Sequence, residues 1–143
     1  MAKLTMPGIH VAFTELGISA IDRGTKGTVA IIVRDAAEQA PVALTQASQT
    51  PTALGVANQE YIKRAFLGYV NPPKKVIVYT APVEDDADLT EALGFMAIQN
   101  FDYLVGPADC TADEAAAIAS WIRSQRENEG AKYKAVLPNT SVD

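Results

Sequence analysis

The sequence holds one cysteine, Cys110, one histidine, His10, and one tryptophan, Trp121. A single cysteine excludes an intramolecular disulfide and fits a reducing compartment. One histidine with one cysteine falls short of the ligand set of a structural zinc site. Long apolar runs are missing too. Nothing approaches the roughly 20 consecutive apolar residues that span a bilayer, and the opening MAKLTMPGIH has no apolar core of signal-peptide length. Positive charge is scarce, with 12 Lys and Arg against 17 Asp and Glu and a formal net charge of -5. That balance supplies no basic field, so neither a nucleic-acid partner nor membrane binding is expected. No GxGxxG fingerprint occurs, and Gly24-Thr25-Lys26-Gly27-Thr28 resembles a phosphate loop only superficially. A phosphate loop follows a strand and opens a helix, whereas this turn precedes a strand.

What is present is an ordinary globular composition, 48% hydrophobic and 20% charged, in 143 residues. A chain of that size forms one domain and buries about two thirds of its unfolded surface without staples. No internal repeat is visible. Ile9, Val11 and Phe13 alternate with His10, Ala12 and Thr14, the period-2 signature of a strand with one buried face. Glu15 to Lys26 reads as a glycine-bearing linker. Gly27 to Val33, GTVAIIV, is a β-branched run of the kind covered on both faces and forms the first core strand. Arg34 to Ala57 reads as a hairpin return and loop, with Val42 to Thr45 as a weak edge strand.

From Asn58 the period becomes helical. Tyr61, Ile62, Ala65 and Phe66 share a face, and Gly68 ends the helix before Pro72 and Pro73. Lys75 to Thr80 is a second strong strand. Asp88 with Glu91 predicts a capped helix bearing Leu89, Ala92, Leu93 and Met96 inward and ending at Asn100. Tyr103 to Val105 is a short strand. Thr111 and Glu114 form a capping box for a helix that buries Ala115, Ile118, Ala119 and Ile122 and stops at Gly130. Tyr133 to Leu137 is the last strand. The order predicts an α/β fold, a three-layer βαβαβαβ arrangement with a mainly parallel sheet, preceded by an extended β arm. The division falls at 1–26 for arm and linker and 27–143 for the α/β body.

Chemistry-bearing residues are sparse. Cys110 lies one residue before a helix cap, where the dipole favours a thiolate, but His10, the sole histidine, lies far off on the arm. A small buried cysteine is the plainer reading. Glu84, Asp85, Asp86 and Asp88 are more simply a solvated loop before a helix N-terminus than a magnesium site. Trp121 fits either the edge of the sheet or an interface. Arg123, Arg126, Glu127 and Glu129 form a solvated helix face. No catalytic, cofactor or metal residue is assigned. The arm either pairs with the sheet edge of another subunit or folds back onto its own sheet, and periodicity does not decide between them.

Several segments, in order, resemble the contractile tail sheath proteins of bacteriophages and phage-tail-like bacteriocins. They are MPGIHV, the turn Arg23-Gly24-x-x-Gly27 running into VAIIV, Tyr61-Ile62-x-x-Ala65-Phe66-x-Gly68 before KKVIVYT, then FDYLVGP, Ala117-Ile118-x-x-Trp121-Ile122 and KYKAVLPNTS. The resemblance implies a non-enzymatic structural subunit without cofactors. It implies a homo-oligomer of stacked hexameric rings, a helical tube around an inner tail tube protein, contracting to drive that tube through a cell envelope. Synthesis in the bacterial cytoplasm and assembly into a phage tail or tail-like particle follow. Strand addition between subunits falls on Gly8, Ile9, His10, Val11, Ala12, Phe13 and Thr14. Members of that family are longer, so the chain is expected to be incomplete at its C-terminus, and Arg34 to Ala57 lacks aromatic residues expected there. The rival readings are a small nucleotide- or ligand-binding α/β regulatory protein and a thiol-dependent enzyme using Cys110.

Overall fold

The run of branched residues from Thr28 to Arg34 forms β1, the central strand of a five-stranded sheet, and the rest of the molecule is arranged about it. The computed structural model describes residues 27–68, 71–83 and 89–138. In chain order β1 is followed by β2 (Val42–Leu44), a 3-10 turn (Ala47–Gln49), α1 (Val56–Ala65) and β3 (Lys75–Ala81). Then come α2 (Thr90–Ala97), β4 (Tyr103–Val105), α3 (Ala112–Asn128) and β5 (Lys134–Val136). The sheet order is β2-β3-β1-β4-β5. β1 runs parallel to β3 from Thr28 opposite Lys75 to Arg34 opposite Ala81, and parallel to β4 from Val29 opposite Tyr103. β5 is parallel to β4, and β2 alone is antiparallel, pairing Val42 with Val78.

Alternation along β1 divides the core in two. Ala30 and Ile32 face Ile77, Leu104, the α2 residues Ala92, Leu93 and Met96, and Ile118 and Ile122 of α3. Ile31 and Val33 face the other way, with Leu44, Leu54, Val76, Val78 and Ile62 of α1. Both faces of the sheet are therefore covered, as the uninterrupted apolar run of β1 requires. The crossover through α1 leads from β1 to β3 on one face, and those through α2 and α3 lead in the opposite direction on the other. Opposite directions on opposite faces give all three connections the same hand.

Three expectations are corrected. The weak strand is no hairpin return onto β1, because both edges of β1 are taken by β3 and β4; β2 pairs with the outer edge of β3. Asp88 lies outside the described residues, and α2 begins at Thr90 with Leu89 at the cap position and no side-chain cap. That helix ends at Ala97 rather than Asn100, since Ile98 and Gln99 donate to Phe95 and Met96 three residues back, a 3-10 tightening of the last turn. The α3 capping box stands as read: the Thr111 hydroxyl accepts from the Glu114 N–H, and the Glu114 carboxylate accepts from the Thr111 N–H at 2.8 Å. Gly68 (φ +57°) and Gly130 (φ +65°) take the left-handed conformation just beyond α1 and α3. The arm, Gly8 to Thr14 with His10, lies outside the described residues, as do the turn at Gly24 and the acidic run Glu84 to Asp86.

Candidate functional site

In an open α/β sheet, ligands gather where neighbouring connections leave the carboxyl ends of the strands in opposite directions. Here that place lies between β1 and β4, and protein groups occupy it. Arg34, the last residue of β1, directs its guanidinium to the Glu114 carboxylate and to Asp109 at 3.4 Å, with 12% of its side chain exposed. Burial opposes the charge of Arg34, but the two carboxylates outweigh it and raise its pKa. Burial likewise pushes Glu114 up, yet the Thr111 N–H and Arg34 together hold it below the ordinary carboxylate value. The Nε of Arg34 has no hydrogen-bond partner among the described residues. Nearby the Tyr61 hydroxyl donates to the Gly106 carbonyl at 3.0 Å, tying α1 to the turn after β4.

Asp35, next in sequence, accepts from the Gly55 N–H at 2.6 Å, the Asn58 side chain at 2.8 Å and the Ala37 N–H at 3.0 Å. The Ala37 N–H, Asn58 and Gly55 hold its pKa below the usual value, so it stays ionised at the N-terminus of α1. α1 has no side-chain cap of its own, and Asp35 takes part of that role from a distance. Nothing local in the sequence marks either Asp35 or Arg34 for these duties. Their positions directly after an apolar strand are the one available signal.

An open depression of about 830 Å³ adjoins this corner, lined by residues 35–40, 79–83 and Glu91. Among the described residues its charged lining is Asp35, Glu38 and Glu91, three carboxylates and no cation, which disfavours a phosphate. Cys110 is buried, and burial foremost, with Glu114 next, raises its thiol pKa, the opposite of the shift an activated thiolate requires. No group of His, Cys, Asp and Glu among the described residues is placed to hold a metal ion. Trp121 packs at the margin of the core, its ring parallel to Tyr133 at 6.3 Å, and Tyr133 in turn stacks on Phe101 at 4.1 Å.

The sheet itself ends in two edges. On β5 the Lys134 N–H donates to the Asp102 carbonyl and the Val136 carbonyl accepts from the Gly106 N–H, so both residues turn their backbone toward β4. Strand alternation then turns the N–H and C=O of Ala135 outward, where no further strand lies among the described residues. Val136 is 51% exposed. β2 forms the opposite edge, three residues long with Ala43 exposed. Among the described residues no helix is long and apolar enough to cross a membrane.

Covered faces, a filled crevice and two edges that carry no further strand among the described residues define an α/β domain. No protein-family model matches the chain. Over 140 residues, 94% of this chain, it is 34% identical to the tail sheath protein of Clostridium phage phiCD119. That similarity supports a member of the tail sheath family. It spans 38% of the length of that relative.

Proposed function

We propose that the chain is a structural, non-catalytic part of a contractile phage tail sheath. The observation that carries this reading is the 34% identity to a tail sheath protein, which extends over 94% of the chain and so covers strands, helices and turns alike. In this reading subunits stack as hexameric rings around an inner tail tube and contract to drive the tube through a cell envelope. The subunit is made in the bacterial cytoplasm and assembled into a phage tail or tail-like particle. Residues 1–26 serve as arm and linker, and 27–143 as the body. Gly8 to Thr14 adds as a strand to the sheet of a neighbour, with Ile9, Val11 and Phe13 as its anchoring face. The edges of β2 and β5, which carry no further strand among the described residues, are in keeping with that role, because helices cover both faces and leave backbone pairing to the edges. A ligand-binding regulator fits less well, since Arg34, Asp109 and Glu114 fill the crevice such a protein would use.

Deletion of Met1 to Thr14 tests the reading. The truncated chain is expected to keep native circular dichroism and to lose the arm-dependent higher assemblies that the intact chain forms and electron microscopy shows. Unchanged assembly after the deletion would overturn the role given to the arm.

A further inference from the structure

The charged residues are sorted by the direction of the sheet. Because β1, β3, β4 and β5 run parallel, their carboxyl ends share one pole of the domain and their amino ends the other. At the carboxyl pole lie Asp35 and Glu38 after β1, Glu91 in the first turn of α2, and Asp109, Asp113 and Glu114 around the start of α3. The single cation there among the described residues, Arg34, is already engaged by Asp109 and Glu114. α1 runs back along the sheet, so Lys63 and Arg64 in its last turn stand at the amino pole. Lys74 and Lys75 lead into β3, and Lys132 and Lys134 into β5, at that same pole. Its carboxylates are spent or balanced: Asp102 accepts from the Gly27 and Thr28 N–H groups, Glu60 pairs with Arg64, and Glu127 and Glu129 share the end of α3 with Arg123 and Arg126.

Shape follows charge. The depression at the carboxyl pole is lined by Ala36, Ala81, Pro82 and the 56%-exposed Val83 together with Asp35, Glu38 and Glu91. The amino pole presents Leu67, 75% exposed, just beyond Lys63 and Arg64 at the end of α1. An exposed leucine bordered by cations matches a hollow lined by apolar residues and carboxylates.

We propose that the acidic depression at the carboxyl pole of one copy receives the basic amino pole of a second copy of this chain, with Leu67 against its apolar lining residues. The two surfaces are different, so the contact is heterologous and repeats head to tail instead of closing on itself as a two-fold dimer. It is a side-chain contact at the poles, distinct from backbone pairing at the sheet edges, and goes beyond the role given to the arm. Complementary charge sets the register and speeds encounter, while burial of Leu67 supplies an apolar anchor.

The test is sedimentation velocity on the full chain. Raising salt from about 50 mM to about 500 mM shortens the screening length from about 14 Å to about 4 Å. The Kd of self-association is expected to rise about tenfold or more over that range. Two exposed-site variants, Glu38→Lys with Glu91→Lys and Lys63→Glu with Lys75→Glu, each weaken self-association about tenfold or more while melting at the native temperature. Mixed one to one, they regain it, because each supplies the charge the other reversed. Self-association indifferent to salt and to both reversals overturns the proposal, as does failure of the folded variants to recover on mixing or absence of any association at the lower salt. A chain that joins only through its arm shows the first of these results yet loses assembly on deletion of Met1 to Thr14, so the two ideas fail separately.

Discussion

Replacing Glu114 with alanine removes two interactions at once. Glu114 is the main partner of a guanidinium that is 12% exposed, and its carboxylate also accepts from the Thr111 N–H at the N-terminus of α3. Removing one member of a well-buried pair costs about 3–5 kcal/mol, because the other charge is left without compensation. Two facts reduce that figure here. The Glu114 side chain is 23% exposed, and Asp109 remains 3.4 Å from Arg34. A cost of about 1.5–2.5 kcal/mol for the lost pair is reasonable, to which the broken capping box adds about 0.5–1 kcal/mol. The total of about 2–3.5 kcal/mol corresponds to a fall in Tm of roughly 6–12 °C for a domain of this size. Urea unfolding followed by circular dichroism measures it, with Glu114→Gln as the control that keeps volume and cap acceptor but loses charge. The glutamine variant is expected to lose about half as much. The carboxyl of Glu114 is held low in the folded state, so its contribution is fully present above the unfolded value near pH 4.5 and is lost as pH falls through the depressed folded value. Stability of the native chain should therefore drop below that pH more steeply than stability of Glu114→Gln. A cost under about 0.5 kcal/mol for Glu114→Ala, or identical acid profiles, would refute the assignment of the pair as a clasp between β1 and α3.

Gly68→Ala is expected to destabilise by about 2 kcal/mol or more, since the residue has φ +57° and an added Cβ would sit 2.5 Å from the Asn71 carbonyl oxygen; thermal melting checks this. Cys110 is expected to react with a thiol reagent at pH 8 at least about tenfold more slowly in the native chain than in urea, because its thiol is buried and its pKa raised. Equal rates in the two states would return the thiol-dependent reading to consideration.

The elements that period and punctuation mark strongly are the ones legible in the sequence. GTVAIIV and KVIVYT predict the two long strands, and Thr111 with Glu114 predicts the start of α3 to the residue, because a capping box is local chemistry. β2 was legible as a weak strand but its partner was not: Val42 to Leu44 pairs with β3 only because β1 has no free edge, a fact about the whole sheet. Asp35 and Arg34 escaped notice for the same reason. Asp35 reaches Gly55 and Asn58 some 20 residues away, and Arg34 reaches Glu114 across 80, separations at which no spacing rule operates. The polarity of charge was hidden as well, since Glu38 and Glu91 come to line one depression only after β1 and β3 are set side by side.

The position of β1 has a mechanical consequence. Gly27, where the chain enters the sheet, leads straight into a strand held along seven residues by β3 and along three by β4, and the N–H groups of Gly27 and Thr28 are fastened to Asp102. A pull on Gly27 along the strand loads these ladders in shear, so their hydrogen bonds resist together. The same pull applied to an edge such as β5 would act on one three-residue ladder alone. Tension arriving from the residues before Gly27 is thus delivered to the part of the domain best able to bear it.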